Sequence, residues 1–356
     1  MFAKTGPLSA GRYRELRFHN RGGLGEVYVA HDVALHRDVA LKRIRRERAT
    51  DPESRRRFLI EAEITGQLEH PGIVPVHDLT CDEEGQPCYA MRFVQGESLK
   101  DAIKHFHDLN KPVHDPGERT LALRQLLNRL IAVCNAVEYA HSRGVLHRDI
   151  KPANIMAGAY GETLLLDWGL AKAGNSTSQQ EFGRDSAGEP LLPSAAEQTL
   201  LAVPARAPAN TQTGHAMGTP AYMSPEQAAG RWREVGPLSD VYSLGATLYY
   251  LLAGKAPFQE KDFKQFLSQV ERGEFPRPRE IKPTVPPALE AICLKAMAPR
   301  PQDRYGSATA LSGDLEHWLA DEPVSAFPES TLARLGRWGR RHRPLMVGTL
   351  VLLATT

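Results

Sequence analysis

Cysteine is scarce: four in 356 residues, at positions 81, 88, 134 and 293, with no pair at C-x-x-C spacing. That excludes a thiol-built zinc site and a dithiol redox motif, and it predicts reduced, mostly buried thiols. The thirteen histidines include no H-E-x-x-H, so His105 and His107 are read as surface residues, not metal ligands. A large charge of one sign is also missing. The formal net charge of +2 supplies no global field that would gather nucleic acid. No internal repeat is visible, which argues against a solenoid or propeller. The opening "MFAKTGPLSAGRYREL" has no apolar core, so no cleavable signal peptide is expected. What remains is ordinary for a soluble globular enzyme: 24% charged and 42% hydrophobic residues, on a chain long enough to bury one large core or two modest ones.

The first ninety residues read as a small sheet with one helix. "YRELRFHN" and "GEVYVAHD" alternate like paired strands around a glycine turn, and "DVALKRI" is a third strand. "DPESRRRFLIEAEITGQLEH" reads as a helix: Asp51 suits the N-cap, Pro52 the first turn, and Phe58, Ala62, Thr65 and Leu68 share a face. "PGIVPVHDLT" and "QPCYAMRFV" complete the strands. After Gly96 the pattern turns helical. Helices are expected over 119–143, with Leu123, Leu127, Leu130, Ile131 and Val137 at helical spacing, over 238–253, and near 261–271, 287–297 and 307–320. The segment 173–213 is rich in Ser, Ala, Pro, Gln and Gly and cannot bury enough apolar surface to offset ordering entropy, so it reads as a mobile insertion. A smaller polar insertion spans 107–118.

The most informative stretch is "HRDIKPANIM", residues 147–156. It offers a carboxylate, Asp149, a cation two residues on, Lys151, and an amide five residues on, Asn154. Phosphoryl transfer to a hydroxyl needs a base that orients the hydroxyl, a cation on the moving group and a metal ligand. "LLLDWGL" follows, in which Asp167 ends an apolar strand and can hold a hard cation through oxygen. Upstream, "FHNRGGLGEVYVA" sets Gly22, Gly23 and Gly25 between two strands, with Asn20 where a G-x-G-x-x-G loop has its first glycine.

These motifs stand in the order of one family. Over residues 12–320 the chain resembles the eukaryotic-type protein kinase catalytic domain, most like the bacterial Ser/Thr kinases. The resemblance implies an α+β, bilobal kinase fold: an N-terminal antiparallel sheet lobe with one helix (12–95) and a larger, mainly helical C-terminal lobe (96–320). It implies that Lys42 of "VALK" meets the α- and β-phosphates of ATP, and that Glu61, by its register in "FLIEAE", pairs with Lys42 in the active state. Asp149 becomes the catalytic base, and Lys151 the γ-phosphate contact. Asn154 and Asp167 become ligands of Mg2+ (or Mn2+). Met91 falls at the gatekeeper position. Arg92, Phe93 and Val94 form the hinge whose backbone meets the adenine edge, and Val27 and Ala40 complete the nucleotide pocket with the glycine loop.

"GTPAYMSPEQA" resembles the docking end of the activation segment. Thr219 there matches the threonine that contacts the catalytic aspartate, and Glu226 matches the glutamate paired with a buried arginine, here Arg304 of "PQDRYGS". Asp240 of "SDVYSLG" matches the aspartate that braces the catalytic loop. The chain departs from the pattern at Asn20, at Trp168 in place of phenylalanine, at Ser224 in place of alanine and at Arg92. None of these removes a catalytic function, and Ser224 and Arg92 are expected to touch no reacting group. A pseudokinase, a nucleotide-sensing or scaffolding module, is the alternative; such proteins usually lose the strand lysine, the base or a metal ligand, and this chain keeps all of them.

The resemblance further implies ATP and Ser/Thr-bearing proteins as partners, and self-association for autophosphorylation in trans. Arg148 would receive an activation-segment phosphate, with Thr211 and Thr213 the preferred sites. No nucleic-acid partner is expected. Beyond the 11-residue N-terminal tail and the kinase domain, residues 321–343 read as a basic juxtamembrane segment, with five arginines between positions 334 and 343. Residues 344–356, containing "LMVGTLVLLATT", read as the start of a transmembrane helix that is cut short, since a span needs about 20 apolar residues. The kinase domain would then lie on the cytoplasmic side of a single-pass protein.

Overall fold

The computed structural model describes residues 11–108, 116–168, 172–173, 220–260 and 262–328. Several expectations fall outside the described residues: the N-terminal tail up to residue 10, nearly all of the 173–213 insertion, Thr211, Thr213 and Thr219, the centre of the 107–118 insertion, and everything from 329 onward. Among the described residues no helix is long and apolar enough to cross a membrane.

Five antiparallel strands build the N-lobe sheet: β1 (Tyr13–Arg21), β2 (Gly25–Asp32), β3 (Arg37–Ile44), β4 (Val76–Cys81) and β5 (Pro87–Arg92), in the order β1-β2-β3-β5-β4. Strand alternation gives the sheet two apolar faces. Ala30, Val39, Leu41, Cys88 and Ala90 cluster on one. On the other, Ile44 and Tyr89 pack with Phe58 and Ala62 of the helix that crosses the sheet. A single turn, α1 (Arg46–Ala49), leads into that helix, α2 (Pro52–Gln67). Asp51 caps α2 as expected, accepting from the N–H groups of Glu53 and Ser54. The buried face holds Phe58, Ala62 and Thr65, but also Glu61. Leu68, expected on the same face, ends the helix and joins the C-lobe core. The stretch 71–80 is not one strand. Only its second half pairs with β5; Pro75 has no N–H to give a ladder, and Ile73 bridges to Leu165 instead.

The expectation that the pattern turns helical after Gly96, apart from the apolar strand before Asp167, needs correction. Strand β6 (Gly96–Ser98) pairs with β8 (Ile155–Gly158), which pairs with β9 (Thr163–Leu165); β7 (Val145–Leu146) pairs with β10 (Lys172–Ala173). Gly96 is required at the junction, because a Cβ there would lie 2.0 Å from the Ala157 carbonyl oxygen.

Helices α3 (Leu99–His107), α4 (Pro116–Ser142), α5 (Pro225–Ala228), α6 (Pro237–Ala253), α7 (Phe263–Arg272), α8 (Pro278–Ile281), α9 (Pro287–Ala296) and α10 (Ala308–Leu319) make up the rest of the C-lobe. Its core runs from Leu127, Leu130 and Val137 of α4 through Leu244, Leu248 and Leu251 of α6 to Leu289 and Leu315. Three of the four cysteines are buried and all four are free, as expected. The chain past α10 is fastened down: Asp314 accepts from Tyr305 Oη, from Ser325 N–H and Oγ, and from Ala326 N–H, and Val324 is buried.

Arg304 and Glu226 form the buried ion pair expected of them. Two parallel bonds of 2.8 Å join the guanidinium to the carboxylate, with both side chains at 1% exposure or less. The remaining donors of Arg304 meet the carbonyls of Leu238, Ala298 and Pro299, and Ser239 Oγ donates to Glu226 at 2.6 Å. Burial alone would raise the Glu226 carboxyl; the Arg304 and Ser239 bonds outweigh it and hold the group below its ordinary value. A depressed carboxylate stabilises the fold above its unfolded-state pKa, and that contribution disappears as pH falls through the folded one. Glu226→Ala strands the guanidinium in the core and is expected to cost about 3–5 kcal/mol in urea unfolding at neutral pH. The gap between wild type and variant should narrow as the pH is taken below about 4.

Candidate active site

The site lies between the sheet and the loops that follow α4. Cross-strand pairing sets one wall. Val27 faces Lys42, which faces Tyr89; Val29 faces Ala40, which faces Met91. Directly opposed residues share a sheet face, so Val27, Ala40, Met91 and Lys42 lie together as expected. Lys42 is 8% exposed and donates to the buried Glu61 carboxylate of α2 and, at 3.2 Å, to Asp167 Oδ1. Tyr89 Oη donates to Glu61 Oε1 at 2.8 Å. Burial would lower the Lys42 ammonium, but Asp167 and Glu61 outweigh it and hold the group well above its ordinary value. Its charge is therefore retained throughout the physiological range. The Lys42 charge in turn pulls the Asp167 carboxyl down, while that side chain stays 47% exposed to the cleft.

The glycine loop covers this wall. Gly22 N–H donates to Gly25 O at 2.8 Å and closes the turn. The Gly22 amide is thus engaged inside the loop. Gly25 is the tight position: a Cβ there would sit 3.0 Å from the Arg43 carbonyl and 3.1 Å from the Lys42 stem. Around Gly23 there is open space. Asn20 lies within β1, paired with Val27 beyond a bulge, and its Oδ1 accepts from Arg21 N–H at 2.8 Å. Its φ is not positive, so tolerance of a left-handed backbone does not explain asparagine there. In the hinge, Phe93 and Val94 are half-buried, and Phe93 meets the His19 ring edge-on at 5.7 Å. Arg92 turns outward and pairs with Glu162 of the C-lobe at 3.0 Å, touching no candidate reacting group, as expected.

The opposite wall is the catalytic loop. Asp240 of α6 is fully buried and accepts from His147 N–H (2.9 Å), Arg148 N–H (2.8 Å) and His141 Nε2 (2.7 Å). Burial would raise its carboxyl, but the His141 bond and the loop amides keep it below its ordinary value. Arg148, at φ +67°, and Asp167, at φ +64°, adopt left-handed backbone that non-glycine residues rarely take. His147 Nδ1 accepts from Asp149 N–H (3.2 Å), which leaves Nε2 as the donor to Leu166 O (3.1 Å). Lys151 Nζ donates to Asp149 Oδ2 at 2.6 Å, and Asn154 Nδ2 donates to Asp149 O at 2.9 Å. With its nitrogen committed, Asn154 presents Oδ1 as an acceptor, and Leu166 N–H binds its backbone carbonyl. That backbone bond, 2.8 Å long, ties the 3-10 turn Pro152–Asn154 to the residue that precedes Asp167. An amide oxygen and a carboxylate are hard donors suited to Mg2+ or Mn2+, and two protein ligands fit an ion that keeps waters and phosphate oxygens. Trp168 is buried against His147 at 4.6 Å, and its indole N–H finds no acceptor among the described residues.

Four participants were not read from the motifs: Tyr89, which supports Glu61; His141, which supports Asp240; Glu162, which holds Arg92; and Gln227, whose Nε2 donates to Arg148 O at 3.0 Å. Each makes its contact at least 28 residues away along the chain, so no local pattern marks it.

A protein kinase domain is the fold and site described, and comparison with known proteins agrees. The chain belongs to the protein kinase family, whose domain model matches residues 13–315. It is 37% identical over 318 residues to the serine/threonine-protein kinase PknD of Protochlamydia amoebophila and 36% identical over 314 residues to PknD of Chlamydia pneumoniae, covering 88% of this chain in each case. The matched region is 30% and 31% of those relatives' lengths, so this chain corresponds to about a third of either. Crystal structures of the Mycobacterium tuberculosis PknI kinase domain superpose with TM-scores of 0.57 and 0.58 at 25% and 27% identity. They cover 89% and 87% of this chain and 99% and 96% of their own.

The packing of Gly25 makes a prediction. Gly25→Val must push either the Arg43 backbone or the Lys42 stem and so breaks the alignment of Lys42 with Glu61 and Asp167. Nucleotide affinity, measured by fluorescent-analogue titration, should fall about tenfold or more. Gly23→Ala, in open space, should change it by less than about twofold.

Proposed function

We propose that this chain is the catalytic domain of an ATP-dependent serine/threonine protein kinase, which moves the γ-phosphoryl group of ATP to Ser or Thr hydroxyls of proteins. The arrangement of Lys42 against both Glu61 and Asp167 carries the reading, because it joins sheet, helix and metal-side loop into one closed site. In this reading Lys42 binds the α- and β-phosphates, while the glycine loop, Val27, Ala40 and Met91 enclose the nucleotide. The hinge backbone at Phe93 and Val94 meets the adenine. Asn154 Oδ1 and Asp167 hold Mg2+ (or Mn2+), which neutralises charge on the phosphates. The Asp149 carboxylate orients the substrate hydroxyl and takes its proton as the oxygen–phosphorus bond forms and the bond to the β-phosphate oxygen breaks. Lys151, bonded to Asp149 at 2.6 Å, would contact the γ-phosphoryl group.

Autophosphorylation in the activation segment is part of the proposal. Arg148 supports it: its guanidinium is lowered by burial, and its Nε has no hydrogen-bond partner among the described residues. A phosphate carrying about −1.5 to −2 charge would compensate that cation. Thr211 and Thr213 remain the preferred acceptors, phosphorylated by a second copy. Incubation with ATP and Mg2+ should give incorporation that Asp149→Asn reduces roughly 10²–10⁴-fold while nucleotide affinity holds. Mass mapping should place phosphate on Thr211 or Thr213. Wild-type protein that binds nucleotide without any Asp149-dependent transfer would identify a pseudokinase, and phosphate confined to residues 174–200 would refute the assigned acceptors.

Membrane attachment on the cytoplasmic side is proposed from composition alone: the five arginines between 334 and 343, followed by an uncharged apolar run. The chain should co-sediment with anionic vesicles. Replacing those five arginines with glutamine should release it; retention after replacement would show that the basic segment plays no part.

A further inference from the structure

Between the docking end of the activation segment and the catalytic base runs a polar connection that no family assignment above includes. Gln227 lies on α5, beside the Glu226–Arg304 anchor, and is buried. Its Oε1 accepts from Ser224 N–H at 3.0 Å and from Ser224 Oγ at 3.1 Å. Two donors on the oxygen fix which way the carboxamide faces. The nitrogen must then face the catalytic loop, and Nε2 donates to Arg148 O at 3.0 Å.

That carbonyl belongs to the peptide between Arg148 and Asp149. The N–H of the same peptide donates to His147 Nδ1 at 3.2 Å, and the N–H of Arg148 donates to Asp240 Oδ1 at 2.8 Å. The peptide plane preceding Asp149 is thus gripped at both of its polar atoms, on a residue at φ +67°. A left-handed non-glycine residue persists only where its surroundings over-determine it. Asp240 and His147 come from the C-lobe core and from the loop itself; Gln227 alone of these comes from the activation-segment side. Ser224 touches no reacting group, as expected, yet it orients the group that does the holding.

We propose that Gln227 is a positioning residue. Its carboxamide, oriented by Ser224, locks the Arg148–Asp149 peptide and so fixes the aim of the Asp149 carboxylate, coupling a seated α5 to a competent base. The inference rests on the kinase reading, and the test separates the two: wild-type transfer must be present before any variant bears on Gln227.

The experiment measures steady-state phosphorylation of a generic Ser/Thr protein substrate by wild type, Gln227→Glu, Gln227→Met and Ser224→Ala, with urea unfolding of each. Gln227→Glu keeps the length and the acceptor for Ser224 but sets an oxygen against the Arg148 carbonyl. Gln227→Met keeps the volume and removes the bond. Both should lower kcat about tenfold or more with the KM for ATP within about twofold, since the nucleotide wall is untouched. Ser224→Ala retains the backbone donor to Oε1 and should lose no more than about threefold in kcat. A Gln227→Met variant with kcat near wild type overturns the proposal, as does a fall in kcat that follows the loss of folded protein at the assay temperature. Should Gln227→Glu fail to fold, Gln227→Met decides alone.

Discussion

One buried carboxylate underlies the catalytic loop. Asp240 sits on α6, the most apolar helix among the described residues, and receives two consecutive backbone amides and an imidazole. A carboxylate removed from water is costly unless its oxygens are bonded, and amides forced into one orientation are costly unless they find an acceptor. Each requirement satisfies the other. The loop takes a left-handed turn at Arg148 because Asp240 holds the preceding peptides, and that turn presents Asp149 to the cleft. Packing of α6 against α4 and α9 therefore reaches the base through a single side chain.

The sheet lobe is tied to this platform by the Ile73–Leu165 bridge and the packing of Leu68, and also by charged contacts. Lys42 spans from β3 to Glu61 on α2 and to Asp167 beyond β9, and Arg92 pairs with Glu162 behind the hinge. Asp167 differs from the buried carboxylates Glu61, Glu226 and Asp240 in being 47% exposed. An ion pair with an exposed face can exchange partners at modest cost, whereas the enclosed Glu226–Arg304 pair cannot, because either charge left alone in the core is heavily penalised. The enclosed pairs, Glu226–Arg304 and Lys42–Glu61, thus act as anchors, one in each lobe, and the pairs with an open face, Lys42–Asp167 and Arg92–Glu162, join the two lobes.

Much of this was legible in the sequence. Lys42, Glu61, Asp149, Lys151, Asn154 and Asp167 follow from motif order and register, and the structure brings them together around one cleft. Helix ends were readable where a cap marks them, as at Asp51. Less legible were features that arise from meeting partners. The 71–80 stretch reads as one strand in the sequence, but Pro75 breaks the ladder and Ile73 pairs elsewhere. Apart from the strand before Asp167, the small C-lobe strands were missed because runs of two to four residues have no periodicity to detect. Asn20 drew attention as a missing glycine, yet the backbone demand falls on Gly25, where β3 passes within contact distance.

The sequence by itself determined the chemistry available: which residues can accept a proton, bind phosphate or ligate a hard cation, and the order in which they occur. Their spacing is local, and local spacing survives in a one-dimensional reading. Only the tertiary structure decided which neutral-looking residues control them. Tyr89, His141 and Gln227 received no role from the motifs, because a hydrogen bond needs only a donor and an acceptor within about 3 Å, and chain folding rather than sequence distance sets that separation.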